Sequence, residues 1–152
     1  MGLFGTEKHS QGLIAEAKTM VETYFSRRNL DHREHVLKDA DGMGWWLIEG
    51  SAKIYIYLLE ANQGATLRIT SPIVELPTAN LEGFYRHLLN LNGTLSSCAL
   101  CTHENLVLVV SQRPTFGLMQ EELDDLVWHV AYVADQLDNK LADQFGCRMY
   151  SG

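Results

Sequence analysis

Apolar residues recur along this chain in two periods, and the alternation between the periods sets the expected order of elements. Leu13, Ile14, Ala17, Val21, Tyr24 and Phe25 fall three or four residues apart, the spacing of one helical face. Ser10 precedes the stripe as a candidate cap, and Asn29 can close the helix in a left-handed conformation. The polar stretch 31–39 is ambiguous, with a short strand around His35, Val36 and Leu37 as one reading, and Asp41-Gly42 is then a turn signal. Three extended segments follow at 45–49, 52–60 and 65–74, and Asn62-Gln63-Gly64 makes a hairpin between the last two. On the middle segment Ile54, Ile56 and Leu58 share one face, which is expected to meet the helices. Lys53, Tyr55, Tyr57 and Leu59 share the other, which is apolar enough to be at least partly covered.

The helical period then returns. Leu81, Phe84, Tyr85, Leu88 and Leu89 form one stripe, with Thr78 or Asn80 as cap and Asn92-Gly93 as the stop. Two strands are expected at 96–102 and 106–112 about a tight turn at His103-Glu104-Asn105. The run Leu106-Val107-Leu108-Val109-Val110 does not alternate, so this strand should be internal or covered by a second subunit. Pro114 stops it, and Thr115 is a candidate cap for a last helix striped by Met119, Leu123, Leu126, Val130, Val133 and Leu137. Trp128 and Tyr132, four residues apart, make a second apolar spot beside that stripe. Gly146 ends the helix, and the remainder to Gly152 is expected to be mobile. The sum is an α+β fold, α-βββ-α-ββ-α, with a curved antiparallel five-stranded sheet and helices packed mainly on one face.

Composition narrows the function more than the fold. The 152 residues suit a single domain spanning 1–152, ordered over about 10–146. Apolar residues make up 46% and charged ones 20%, which excludes the composition of a disordered chain. A net charge of −7 argues against nucleic acid, since a polyanion calls for clustered Lys and Arg. Arg27-Arg28, the one adjacent basic pair, sits where a helix end favours positive charge. No apolar run approaches the ~20 residues that span a bilayer, so no membrane partner is expected. The opening MGLFGTEKHS lacks the pattern of a secretory signal; Met1-Gly2 resembles a myristoylation acceptor, but Thr6 fits only loosely and we discount it. Three cysteines do not make a disulfide framework, and a reducing cytoplasm is the simplest setting.

Candidate chemistry is sparse. Cys98-x-x-Cys101-x-His103 offers soft-metal ligands, but on a strand the two cysteines leave on opposite faces and no second pair completes four ligands. His32 and His35 share a face only if their segment is helical, where with Asp31 and Glu34 they would make a weak divalent-metal patch. His87 and His129 read as flank residues of their helices. Glu121, Glu122, Asp124 and Asp125 cluster where a helix dipole favours negative charge. No nucleophile elbow, phosphate-binding loop or dinucleotide fingerprint appears, so no metal, cofactor or enzymatic role is expected. Trp45-Trp46 occupies adjacent strand positions, one ring inward and one outward. We take Trp45, Tyr55, Tyr57, Trp128 and Tyr132 as candidate partner or dimer contacts, because aromatics dominate interface hot spots.

The order of elements, the strand end Ile73-Val74-Glu75-Leu76-Pro77, the helix end Leu88-Leu89-Asn90-Leu91-Asn92 and the 106–110 strand together resemble type III secretion chaperones. They are also similar to the bacterial YbjN family, described as regulators of sensory transduction, over roughly 13–141. The resemblance implies a homodimer, a peptide or protein partner and, for the secretion branch, effector segments held extended along apolar grooves. The acidic balance of the chain is similar to that of such chaperones. Three functions compete: a non-enzymatic module or chaperone for an extended peptide, a regulator that binds a folded protein, and a small metal protein or enzyme.

Overall fold

The computed structural model describes residues 3–41, 43–62 and 64–152, with the backbone alone over 3–8. Met1-Gly2, Gly42 of the Asp41-Gly42 turn and Gln63 of the hairpin lie outside the described residues. Among those described, the order is α1 (Leu3–Arg27), a short 3-10 helix (His32–His35), β1 (Gly44–Glu49), β2 (Ala52–Glu60), β3 (Ala65–Glu75), α2 (Leu81–Asn92), β4 (Ala99–His103), β5 (Leu106–Pro114) and α3 (Gln120–Phe145). The strands form one open antiparallel sheet in the order β1-β2-β3-β5-β4. β5 is therefore internal, and Val107, Leu108 and Val109 are all buried, as the unbroken apolar run predicts.

Contacts cluster into two compact units, and β1, β2, β3, β5 and α3 contribute residues to both. The first unit comprises 1–47, 55–69 and 112–125. Its core holds Val21, Tyr24 and Phe25 of α1, Trp45 and Leu47 of β1, Ile56 of β2 and Leu67 and Ile69 of β3. The second comprises 48–54, 70–111 and 126–152, with Ile54, Phe84, Val107, Val109, Val130 and Leu141 buried. Along β2 burial alternates as expected, with Ile54, Ile56 and Leu58 inside and Lys53, Tyr55 and Tyr57 half-buried on the opposite face.

Several local expectations are corrected. α1 begins at Leu3, so Ser10 lies within the helix and does not cap it. The 31–39 stretch winds into the 3-10 helix, capped by the Asp31 carboxylate on the Arg33 N–H, and only Val36 bridges to Trp45. Asn80 does precede α2, but in a left-handed conformation and without a side-chain cap bond. β4 starts at Ala99 because Ser97, at φ 62°, breaks the extended backbone before it. Thr115 does not cap α3: its Oγ1 accepts the Ala65 N–H at 3.2 Å while its own N–H donates to the Ala65 carbonyl at 2.9 Å, clamping the start of β3. That clamp requires glycine at position 64, where a Cβ would meet Thr115 Oγ1 at 3.0 Å and φ is +83°. Met119 falls just ahead of α3 and is exposed.

The segment after α3 is held rather than mobile. Gly146, at φ +68°, ends the helix as expected. The chain then turns back so that Met149 bridges antiparallel to Val74 in β3. The stripe of α2 is also split. Phe84 (0% exposed) and Leu88 are buried, Phe84 edge-on to Phe145 at 5.1 Å, whereas Leu81, Tyr85 and Leu89 (70%) face outward. Phe84→Ala is expected to cost about 3–5 kcal/mol in urea unfolding, and Leu89→Ala, at dilutions where the chain is a monomer, less than about 0.5 kcal/mol. Equal losses would contradict the split.

Candidate functional site

The first unit contains a cleft of about 420 Å³ between α1 and the hairpin end of β2 and β3. Gln11, Ile14, Ala15 and Lys18 line it from α1, Met43 from the approach to β1, Leu58 and Glu60 from β2, and Ala65 from β3. The α1 residues are spaced three, four and seven apart, a second stripe beside the core stripe. Leu58 and Ala65 are buried and make an apolar floor, while Lys18 and Glu60 bring one charge of each sign. Backbone bonds hold the walls: Leu58 N–H donates to Met43 C=O at 2.9 Å, and Ala61 N–H to Gly64 C=O at 3.2 Å. A mainly apolar cleft of this size, with a few polar groups, suits the burial of ligand side chains.

Sequence reasoning missed this cleft. It assigned Ile14 to the core stripe and gave Gln11, Ala15 and Lys18 no role. The available signal was an apolar pair, Ile14 and Ala15, flanked at helical spacing by the long stems of Gln11 and Lys18.

The aromatic candidates separate. Trp45 is 1% exposed, so it belongs to the core and not to a partner surface; the half-buried ring of the pair is that of Trp46. Tyr55 and Tyr57 stack at 6.4 Å and 14° on the half-buried face of β2. Trp128 and Tyr132, each 50% exposed, stack at 5.1 Å and 13° on α3 in the second unit.

The polar candidates serve structure. His35 packs its ring on Phe25 and Trp46, with Nδ1 2.9 Å from the Trp46 carbonyl. Two members of the acidic cluster of α3 are engaged: Glu122 pairs with Arg113, and Asp124 pairs with Arg27 at 3.0 Å and accepts from Gln120 at 2.9 Å, while Glu121 and Asp125 are exposed. Cys98, Cys101 and Cys147 are free thiols, and burial pushes those of Cys98 and Cys147 up from the usual range. Among the described residues, no three His, Cys, Asp or Glu side chains gather as a metal site. Among them, no helix is long and apolar enough to cross a membrane.

At one sheet edge, β4, the Asn92 side-chain amide accepts the Leu100 N–H at 2.7 Å and donates to the Leu100 carbonyl at 3.1 Å. It occupies the groups an added strand would pair with there, a common way of blunting an edge.

Residues 15–151 match the family TY-Chap1, described as T3SS (YopN, CesT) and YbjN peptide-binding chaperone 1, and the chain belongs to that family. Among solved structures, a chain of the ExsC-ExsE complex is similar at 16% identity and a TM-score of 0.66, with 85% of this chain and 96% of that chain covered. The HopA1-SchA chaperone-effector complex gives 13% identity and a TM-score of 0.61, with 81% and 93% covered. The heterodimeric ExoU-SpcU complex from the type III secretion system of Pseudomonas aeruginosa gives 13% and 0.58, with 78% and 95% covered. No curated protein sequence matches. At these identities the structures establish a shared fold, and the resemblance to the YbjN and secretion-chaperone family is borne out.

Beside the cleft's unit core, Asp31 reports the local electrostatics. Side-chain and backbone hydrogen bonds from Arg33 hold its carboxyl down at about 2. Its folded pKa is depressed, so the stabilisation is present above the unfolded value of 3.8 and is lost as pH falls towards 2. In Arg33→Ala, the Asp31 carboxyl resonance is expected to titrate closer to 3.8; an unchanged midpoint would show that Arg33 does not set it.

Proposed function

We propose that this protein is a cytoplasmic, homodimeric, non-enzymatic peptide-binding chaperone that holds an extended segment of another protein. The observation that carries the reading is the apolar cleft along α1, in a chain whose family is described by peptide binding. An extended segment places alternate side chains on one side, so its apolar residues can enter the cleft while its backbone stays solvated or pairs with a strand edge. Lys18 and Glu60 then select against a like charge at the rim. That the similar HopA1-SchA structure is a chaperone-effector complex favours an effector over a regulatory protein as partner. The stacked pairs Tyr55–Tyr57 and Trp128–Tyr132 are further candidate contacts.

Dimerisation is assigned to the outward half of the α2 stripe, Leu81, Tyr85 and Leu89, which lie at i, i+4 and i+8. Three large apolar side chains in one exposed row are the kind of surface a second copy covers.

Binding is tested by fluorescence anisotropy with a permanently unfolded chain, reduced and carboxymethylated α-lactalbumin. Ile14→Glu puts a carboxylate into the cleft and is expected to weaken capture at least tenfold while the melting temperature holds. Undiminished capture, or preference for the native folded form, contradicts the reading. For the dimer, light scattering is expected to give twice the chain mass, and Leu89→Asp half of that; a wild-type monomer in dilute solution removes this part.

A further inference from the structure

The end of β3 holds a second site, in the other unit and independent of the α1 cleft. β3 has 11 residues against nine in β2, and Met149 forms an antiparallel bridge to Val74 near its end. Glu75 N–H donates to the Arg148 carbonyl at 2.8 Å, and Tyr150 N–H donates to the Ile73 carbonyl at 3.0 Å. Arg148 also approaches the Glu75 carboxylate at 3.9 Å from an exposed position. The chain thus demonstrates on itself what this edge accepts: an extended backbone with a basic residue opposite Glu75.

The fit is incomplete. Beside the paired segment lies a cavity of about 380 Å³ lined by Lys53, Ser71, Ile73, Asp138, Met149 and Tyr150, among others. The Ser71 hydroxyl, fully buried on this lining, has no hydrogen-bond partner among the described residues. Buried hydroxyls are normally bonded, so an unmatched one marks a group that the present occupant fails to satisfy. Lys53 donates to the Gly152 carbonyl at 3.2 Å and brings a cation to the same rim. Burial raises the Asp138 carboxyl above its ordinary range. The segment hangs from Gly146, whose left-handed φ lets the chain turn sharply out of α3 and where a Cβ would meet nothing within 4 Å. Arg148 and Met149 are exposed, and a long ion pair at an exposed arginine contributes little, so the segment is lightly tethered.

We propose that the Ile73–Val74–Glu75 edge is a strand-accepting peptide site, held in reserve by the chain's own 148–150 segment. Its ligand is an extended peptide with a basic residue for Glu75 and, beside it, a hydroxyl or amide side chain for Ser71. Such a peptide displaces the internal strand, adds to β3 and satisfies the hydroxyl the internal strand leaves unmatched.

The probe is a fluorescein-labelled peptide of sequence 146–152 with Ser in place of Cys147, added to the full chain. Tyr150→Pro removes the N–H given to Ile73 and is expected to bind this peptide at least tenfold more tightly than the wild type. Glu75→Arg in that background is expected to reverse the gain, and Ile14→Glu to leave it intact, which separates this site from the α1 cleft. Equal binding by wild type and Tyr150→Pro, with native circular dichroism in both, overturns the proposal. In the wild type the Glu75 amide is expected to exchange with solvent faster than the amides of Leu67 and Ile69; equal protection also overturns it, without any variant. If mixed full-length copies carrying two dyes show energy transfer that Tyr150→Pro abolishes, the edge pairs with a second copy's segment and the peptide assignment fails.

Discussion

Everything in this molecule depends on the two-residue period of β2. Ile54, Ile56 and Leu58 on one side are buried, and Lys53, Tyr55 and Tyr57 on the other stay half-buried. A register slip of one residue would exchange the faces and put Lys53 in the core, so pairing with its neighbours is strongly specified. The helices bring stripes with a different period against that sheet, and a helical stripe is wider than one row of contacts needs. What is left over defines the surface: the outer half of the α2 row, the stacked rings of α3, and the Ile14–Ala15 edge of the α1 cleft.

Exposed apolar area of this kind suits the burial of a partner's side chains. The polar groups that a catalytic reading would recruit are engaged elsewhere: Glu122 and Asp124 with arginines, and His35 with a carbonyl and two aromatic rings. Asn92 closes one position on β4 with a side-chain amide, while 148–150 closes the end of β3 with a backbone. The first is fixed by the helix that carries it; the second is a largely exposed segment beyond a glycine. That difference between two covered edges is the physical basis for a displaceable peptide site.

The order of elements was legible because each rests on a local period. The alternation in β2 and the unbroken run in β5 appear where the pattern puts them, as do most of the α1 and α3 stripes, with Ile14, Met119 and Leu126 among the departures. What was not legible depends on distant neighbours. Thr115 could cap a helix or clamp a strand, and only the position of Ala65 decides. Pattern alone does not distinguish Trp45 from Trp46; the inward face of β1 decides that Trp45 belongs to the core and not to a contact surface. The α2 stripe looked uniformly internal because periodicity names a face without measuring how much of it is covered. The 147–152 segment has no period of its own; its order comes from backbone bonds to β3, and those leave no mark in side-chain pattern.

Amide hydrogen exchange across the whole chain, with and without an unfolded polypeptide, bears most directly on whether leftover apolar surface is the working part. Added protection is expected in α1 around Gln11–Lys18 and at the facing ends of β2 and β3, and nowhere among the carboxylates of α3. Protection confined to that acidic cluster, or no change anywhere on α1 at saturating polypeptide, would contradict it.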